Sequence, residues 1–212
     1  MASEYLKTNH HSFVISEKQF LDSIEETIKQ IESYCTTTVR ASVGNYLVSL
    51  YIRDNSHDIV IFCGDVSDEI FASYRGFMCA DSESEYFREN IRMIRDIRYF
   101  DVLRSDKSIS GAGLEARVPF GDKEFMDYIM SIQSKHKMFN DEKMEKYILR
   151  KSFEGYLPDE LLWRRKEAFS DGVSSYQRSW FDIIKEFVEK KYTDEEFEEK
   201  IKKYNYNRPY DK

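Results

Sequence analysis

Apolar residues recur at helical spacing along most of the chain. Phe20, Ile24 and Ile28 each lie four positions apart and are typical of this pattern. The period predicts a set of helices over about 17–33, 38–53, 67–76, 83–107, 122–132, 141–155, 178–191 and 193–203. Two stretches, 108–121 and 164–177, carry Ser, Gly and mixed charge without a clear period. They are predicted loops, and loops are where binding and catalytic residues concentrate.

One segment has the pattern of a strand. Residues 58–62 include a continuous, β-branched apolar run that ends at Cys63 and Gly64, as in a buried strand of a parallel sheet. A lone strand cannot satisfy its own backbone N–H and C=O groups. Either other strands lack a clear pattern, or the partner strands lie on polypeptide outside this sequence, and we favour the second explanation. The predicted fold class is α/β, predominantly helical, with an incomplete parallel sheet.

The composition indicates a folded protein that binds neither nucleic acid nor membrane. Of 212 residues, 41% are apolar and 33% charged, and the formal net charge is −7, which disfavours a broad contact with nucleic acid. The longest apolar run is about five residues, too short to span a bilayer. The first residues lack a secretory signal, and the three cysteines form no CxxC pair. These features predict reduced thiols and a cytoplasmic protein.

The most informative polar residues follow the predicted strand. Asp65, Asp68 and Glu69 lie within five positions, just before a predicted helix. In open α/β sheets the ligand crevice lies at the carboxyl ends of the strands. Close carboxylates repel one another unless a cation joins them, and Mg²⁺ bridging to a phosphate would do so. Alternatively, Ser67 and Asp68 only cap the helix, and the spacing alone does not decide between the two interpretations.

Residues 63–74, CGDVSDEIFASY, resemble the SGEGSDE(L/V)FGGY turn of glutamine-dependent asparagine synthetases. Other segments resemble the same family in the same order: 34–42 (YDVTTVRAS), 101–120 (DxLRxxKxxxxxGLEARVPFLD), 145–175 (KxxLRKAFxxYLPxxILWRxKExFSDGV) and 206–209 (NTP near the C-terminus). The likeness covers roughly residues 10–210. Because five motifs match in order, the chain is identified by resemblance as a member of this family.

The resemblance implies a partial domain. The family's fold is adenine-nucleotide α-hydrolase-like, of the ATP pyrophosphatase type, and residues 1–212 resemble the later part of its synthetase domain. Complete members also have an N-terminal glutaminase domain and an SGGxDS pyrophosphate loop, and neither occurs in this sequence. The sequence therefore implies a truncated synthetase domain, with a separate chain as one source of the loop and the glutaminase. This absence agrees with the missing sheet partners.

The family makes asparagine from aspartate, ATP and ammonia, through a β-aspartyl-AMP intermediate. By resemblance, Asp68 holds Mg²⁺ on the pyrophosphate, and Lys166 stabilises charge on the transferring phosphorus. Cys63 and Gly64 match a pair whose backbone contacts ATP. Asp65 stands where the family has a glutamate that is important for forming the adenylate.

Three more residues, Thr37, Thr38 and Arg40, match positions associated with the acidic substrate and phosphate. Without the resemblance, a helix N-terminus with a surface arginine explains them. A solvated lysine in a basic run likewise explains Lys166.

Two further groups of charged residues have structural interpretations. Glu115 and Arg117 are predicted to form a buried ion pair that supports the site. A solvated helix face is predicted for Arg92, Arg95, Arg98 and Arg104, which recur at near-helical spacing.

The sequence also departs from the family pattern. Asp65 is one methylene shorter than glutamate, which retracts the carboxylate by about 1–1.5 Å and can cost about 100-fold in rate. Val66 replaces a glycine, and Ala72 and Ser73 replace the Gly-Gly pair of the motif. Two hypotheses follow: a ligase domain that needs a partner, or a catalytically inactive remnant that acts as a binding or interaction module. A sister adenylation chemistry also stays open, although the SDGV and LEARVP stretches favour asparagine.

Overall fold

A computed structural model describes residues 1–140, 143–167 and 178–204. Within these residues the α-helices are α1 (Ala2–Leu6), α2 (Glu17–Asp22), α3 (Ile24–Ile31), α4 (Thr36–Asn55), α5 (Ser67–Ile70), α6 (Glu83–Asp96), α7 (Asp101–Gly111), α8 (Lys123–Ser131), α9 (Ser134–Lys137), α10 (Tyr147–Ser152), α11 (Asp159–Leu162), α12 (Trp180–Lys191) and α13 (Asp194–Tyr204). Short 3₁₀ helices span Arg75–Cys79, Ile97–Tyr99 and Pro119–Gly121. No helix in the described part of the chain is long and apolar enough to cross a bilayer.

The sheet has two parallel strands, β1 (Val60–Phe62) and β2 (Glu115–Arg117), with Ile61 opposite Ala116. The predominantly helical α/β class is therefore confirmed, while the ATP pyrophosphatase-type fold stays a prediction. The expectation that the partner strands lie outside this sequence is wrong for one strand, because β2 lies in the predicted loop 108–121. A three-residue strand that alternates Glu, Ala and Arg carries no apolar run, so its pairing depends on tertiary context.

Three predicted helices are interrupted, and the one over 67–76 ends at Ile70, before the 3₁₀ helix that begins at Arg75. The predicted helix over 17–33 breaks at Ser23, whose hydroxyl donates to the carbonyl of Gln19 at 2.7 Å and so competes with the helical pattern. The predicted helix over 83–107 breaks at Phe100, where φ is −126° and ψ is −110°. The segment after the break, α7, begins at Asp101 and continues to Gly111.

Separate apolar clusters hold the helices together. One joins α2, α3 and α4 to α12 through the buried residues Phe20, Ile31, Val39, Val43, Trp180 and Ile183. A second lies directly behind residues 63–74, here called the acidic turn, and contains Val66, Ile70, Phe71 and Ile129. The acidic turn therefore rests on a packed core.

The apolar residues of β1 contrast with these clusters. Val60 is 46% exposed and Phe62 is 77% exposed. A strand of a parallel sheet is ordinarily covered on both faces. The described residues therefore pack the acidic turn from behind but leave much of the strand that leads into it uncovered.

Candidate functional site

The acidic turn, residues 63–74, begins directly after β1 and contains α5. Val66 has a φ of +74° and Ala72 a φ of +48°, in the left-handed region that favours glycine. Both positions are glycines in the motif that the turn resembles. The turn therefore adopts a backbone suited to glycine at the two positions where larger residues replace it, and Val66, being β-branched, is strained there.

Asp68 is the centre of the turn's charge network. Its Oδ1 lies 2.5 Å from Nζ of Lys166 and 3.1 Å from Nζ of Lys146. The hydroxyl of Ser73 donates to the same oxygen. Burial by itself raises the pKa of Asp68, but the two lysines and the Ser73 hydroxyl outweigh it and lower that pKa. Asp68 is therefore a carboxylate at neutral pH.

Lys166 reaches this carboxylate from a segment 98 residues away in sequence. Its Nζ also donates to the carbonyl of Ser73 at 3.2 Å and lies 4.7 Å from the centre of the Tyr74 ring. The side chain lines a cavity of about 410 Å³ together with Arg75 and Phe139. The structure thus brings together two predicted site residues, Asp68 and Lys166, at the edge of a cleft.

Lys146 is a member of this network that the sequence analysis did not single out. Its Nζ donates to Oγ of Ser67 at 2.9 Å, in addition to contacting Asp68. Burial lowers the pKa of Lys146, and the Asp68 carboxylate opposes that effect. A signal was present, because Lys146 falls on the first lysine of the KxxLRK segment that the chain resembles.

Asp65 has separate partners. Oγ of Ser105 donates to its Oδ2 at 2.5 Å, and an Nη of Arg104 lies 3.8 Å from its Oδ1. The same guanidinium donates to Asp101 at 2.9 Å. The prediction that Arg104 lies on a solvated face is wrong, since its side chain is only 11% exposed. The break at Phe100 is the reason, because α7 no longer continues the face of α6.

Glu69 and Tyr74 join the turn to α7. The Tyr74 hydroxyl donates to Oε1 of Glu69 at 2.5 Å and lies 3.3 Å from Oδ2 of Asp101. Glu69 is buried, and this burial raises its pKa. Burial, together with the neighbouring carboxylates, also raises the pKa of Tyr74, so its hydroxyl stays protonated and able to donate.

A buried amide and a buried lysine support α5 at its C-terminal end. Nδ2 of Asn90 donates to the carbonyl of Glu69. Nζ of Lys137 donates to Oδ1 of Asn90 at 3.0 Å and lies 3.5 Å from the carbonyl of Ile70. Cationic donors at a helix C-terminus satisfy carbonyls that have no helical partner.

The predicted substrate residues divide between two cavities. Thr37 and Thr38, in the first turn of α4, line a cavity of about 440 Å³ with Glu69, Tyr74 and Arg104. The lining of this cavity does not include Arg40. That residue lines a second cavity, of about 560 Å³, which Thr37 also lines and which α12 borders. The structure thus brings Thr37 and Thr38, but not Arg40, to the cavity beside the acidic turn.

Cys63 and Gly64 lie where the strand gives way to the turn. The Cys63 N–H donates to the carbonyl of Arg117 at 2.9 Å and extends the sheet by one bond. Burial raises the pKa of the Cys63 thiol, so it stays protonated. Gly64 is exposed, and the space that a Cβ would occupy is open. No residue in the described part of the chain therefore fills the space beside Gly64.

The prediction of a buried Glu115–Arg117 pair is wrong in one respect. The two side chains do form an ion pair, at 2.5 Å, but both are more than half exposed. They lie two positions apart on the same face of β2, and β1 is the one strand paired with β2 among the residues that the structure describes. An exposed pair of this kind contributes little to stability.

The acidic turn suits Mg²⁺ only where phosphate oxygens also coordinate the ion. The described residues contain no group of three or more His, Cys, Asp or Glu side chains arranged to hold a metal ion. Asp68 is a single carboxylate with two ammonium groups beside it. Mg²⁺ is commonly held by one or two carboxylates while phosphate oxygens and water complete its coordination, and Asp68 fits that arrangement.

Comparison with known proteins gives a consistent result. The family model for asparagine synthase matches residues 1–92 and 80–208. The asparagine synthetase [glutamine-hydrolyzing] of Rattus norvegicus is 41% identical over 209 residues, which is 98% of this chain and 37% of that protein. The protein of the same name from Gallus gallus is 41% identical over 207 residues, or 97% of this chain and 37% of its own length.

A viral relative agrees with the vertebrate proteins. The probable asparagine synthetase [glutamine-hydrolyzing] of Acanthamoeba polyphaga mimivirus is 40% identical over 201 residues, or 95% of this chain and 36% of its own. This chain therefore spans between a third and two fifths of the length of these relatives.

Proposed function

Because this chain belongs to the asparagine synthase family, we propose that it is part of a ligase domain that amidates aspartate to asparagine, with ATP, through β-aspartyl-AMP. The contact between Lys166 and Asp68, at 2.5 Å across 98 residues of sequence, carries the proposal. It joins a cation and a carboxylate at the carboxyl end of a parallel strand, where α/β proteins bind ligands.

In this proposal the acidic turn holds the phosphates of ATP. Lys166 offers its positive charge where negative charge develops on the transferring phosphorus. Cys63 and Gly64 face the nucleotide through their backbone, and the open space beside Gly64 supports that role. Asp68 would hold Mg²⁺, which when bound neutralises charge on the phosphates. Arg40 stays a predicted phosphate-binding residue.

Aspartate is proposed to occupy the cavity of about 440 Å³ lined by Thr37, Thr38 and Arg104. Two hydroxyls and a guanidinium suit the carboxylates of an acidic substrate, because they offer hydrogen-bond donors to anionic oxygens. Asp65 contacts Arg104, which lines this cavity, and belongs to the turn. This contact supports the proposal that Asp65 assists adenylate formation between the two proposed binding regions.

The rest of the active site is proposed to lie on polypeptide outside residues 1–212. That polypeptide would supply the pyrophosphate loop, and ammonia from a glutaminase, and would cover the exposed apolar residues of β1. The exposure of Val60 and Phe62 supports such a neighbour, because the strands of a parallel sheet are ordinarily covered on both faces.

The test is aspartate-dependent pyrophosphate release from ATP and Mg²⁺ in the presence of ammonia. The chain is assayed alone and with a supplied polypeptide that carries the SGGxDS loop. We expect release only with that polypeptide, and its loss in Asp68→Ala. Glu25→Ala, which removes an exposed ion pair with Lys191, is the matched control and should release pyrophosphate as the unaltered chain does. No release in either assay would overturn the ligase proposal.

The second candidate is a catalytically inactive binding module. The short Asp65 carboxylate, held by Ser105, is the observation in its favour. Asp65→Glu tests it, because the longer side chain restores the family residue. A gain in pyrophosphate release by about 100-fold would support a ligase limited by this position. If the folded Asp65→Glu chain stays inactive with the supplied polypeptide, the binding-module interpretation is favoured.

A further inference from the structure

Ser105 is the closest donor to the Asp65 carboxylate in the described part of the chain. Its Oγ donates to Oδ2 of Asp65 at 2.5 Å. Nη2 of Arg104 lies 3.8 Å from Oδ1 and donates instead to Asp101 at 2.9 Å. Burial first, and then the Asp65 carboxylate, raise the pKa of the nearby Cys63 thiol. That thiol stays protonated and is a weak donor, so the Ser105 hydroxyl is the group that holds the carboxylate.

Ser105 lies on a helix that is packed against the sheet. Its side chain is in the first half of α7, and the residue is only 5% exposed. The second half of α7 packs through Ile109 into an apolar cluster that includes Ile61 of β1. Because β1 leads directly into the acidic turn, this packing fixes the Ser105 hydroxyl relative to Asp65. A polar group on a packed helix holds its partner more precisely than one on a loop.

The serine and the aspartate both lie where the chain is free of the family pattern or departs from it. The motif for residues 101–120 specifies no residue type at position 105, and the acidic turn has Asp65 where the motif has glutamate. A glutamate would carry its carboxylate about 1–1.5 Å farther from the backbone. It would move toward the buried hydroxyl, which already lies 2.5 Å from Oδ2. The shorter acid and the hydroxyl therefore fit each other.

We infer that Ser105 is a positioning residue for Asp65, and that the two together take the place of the family's glutamate as a matched pair. Ser105 holds the carboxylate by a charge-assisted hydrogen bond, which is stronger than a bond between neutral groups. The hydroxyl thus compensates for the methylene that Asp65 lacks. The action of Asp65 on the adenylate rests on the proposed function, whereas the match between the two residues goes beyond it.

Urea denaturation of the full chain measures the match without any turnover. Ser105→Ala should raise the unfolding equilibrium constant by about tenfold, because a hydrogen bond to a charged group is lost. In the Asp65→Glu background the same change should cost nothing or be stabilising, because it removes the hydroxyl that crowds the longer side chain. Ser108→Ala is the matched control, since Ser108 is a buried serine of α7 whose hydroxyl has no partner among the described residues. Its effect should be the same in both backgrounds.

Pyrophosphate release with the supplied polypeptide measures whether the position of the Asp65 carboxylate matters to the reaction. Ser105→Ala should lower kcat by about 10- to 100-fold, because a reacting group is displaced. It should leave the KM for ATP within about twofold, because the groups proposed to bind ATP are untouched. Ser105→Thr keeps the hydroxyl and should retain most of the activity. Asp65→Glu alone should give no gain, whereas Asp65→Glu combined with Ser105→Ala should release pyrophosphate faster than either single variant.

A destabilisation by Ser105→Ala that is equal in both backgrounds would overturn the inference, whatever the turnover. Release that Ser105→Ala leaves unchanged would also overturn it. A gain in release by Asp65→Glu alone would overturn the inference while supporting the ligase proposal. Conversely, a difference between the two backgrounds, without release by any variant, supports the matched pair and refutes only the ligase. The two failures are therefore distinguishable, because denaturation needs no turnover.

Discussion

The acidic turn and the sheet adjoin each other but differ in how completely the described residues build them. On the turn, Ile70 and Phe71 are buried and Asp68 is neutralised by lysines from two distant segments. In the sheet, Val60 is 46% exposed and Phe62 is 77% exposed. The difference shows that the polar side chains of a site can be assembled even though few residues pack against the strand that leads into it.

The acidic turn is held in place by contacts with helices behind it rather than by contacts with the sheet. Asn90 and Lys137 bond the carbonyls at the end of α5, and Ile129 packs against the same helix. None of these residues belongs to β1 or β2. The packing behind the acidic turn and the pairing of β1 with β2 therefore stabilise the molecule separately. Variants in each region measure how much each contributes to the free energy of unfolding.

The largest contrast is expected between two phenylalanines. Phe71→Ala removes a ring that is 1% exposed, next to Phe125, and should lower the free energy of unfolding by about 3–5 kcal/mol. Phe62→Ala removes a ring that is 77% exposed and should cost less than about 0.5 kcal/mol. Urea denaturation of both variants gives the comparison. A large decrease in the free energy of unfolding of Phe62→Ala would mean that the ring is covered in solution.

Lys137 predicts a pH dependence of stability. Burial lowers its pKa to about 8 from an ordinary 10.5, so between these values the unfolded chain binds more protons and stability rises with pH. Relative to Lys137→Met, the chain should gain up to about 3 kcal/mol between pH 8 and 10.5. Below pH 8 the difference between the two should stay constant. Urea denaturation at several pH values measures it, and a constant difference up to pH 10.5 would contradict the predicted pKa.

Asp68→Ala should destabilise the turn by about 2 kcal/mol, because two partly buried ammonium groups lose the carboxylate between them. The figure lies below that for a fully buried pair, since these side chains are about 30% exposed. Glu25→Ala breaks the exposed pair with Lys191 and should not change stability measurably. Thermal and urea denaturation compare the two variants. Equal effects would show that the turn's ion pairs are no stronger than surface ones.

Local patterns predict helices and strands well where the segment has a single clear apolar pattern. The helix over 38–53 appears as Thr36–Asn55, and the strand over 58–62 as Val60–Phe62. The strand Glu115–Arg117 was missed because its residues have no apolar alternation. The break at Phe100 was missed because the apolar and basic periods of α6 continue past it.

Those residues of the site that belong to a family motif were predictable from the sequence. The resemblance pointed to Asp68 and Lys166, whose meeting across 98 residues no local pattern contains. It could not indicate the Ser73 hydroxyl on Asp68, because the family motif has glycine there, nor that Arg104 turns inward. Hydrogen bonds and burial of single side chains depend on tertiary packing, so sequence periodicity does not predict them.

The smallest effect concerns two buried serines. Ser73 donates to Asp68, and Ser73→Ala should cost about 1–2 kcal/mol, since a hydrogen bond to a charged group is lost. Ser108 is fully buried, and its hydroxyl has no partner among the described residues. Ser108→Ala should leave stability unchanged or raise it by about 1 kcal/mol. Urea denaturation distinguishes the two, and a loss in Ser108→Ala as large as that in Ser73→Ala would mean that the Asp68 bond contributes nothing specific. A gain in Ser73→Ala would show that the hydroxyl which replaces the family glycine crowds the turn instead of holding its carboxylate.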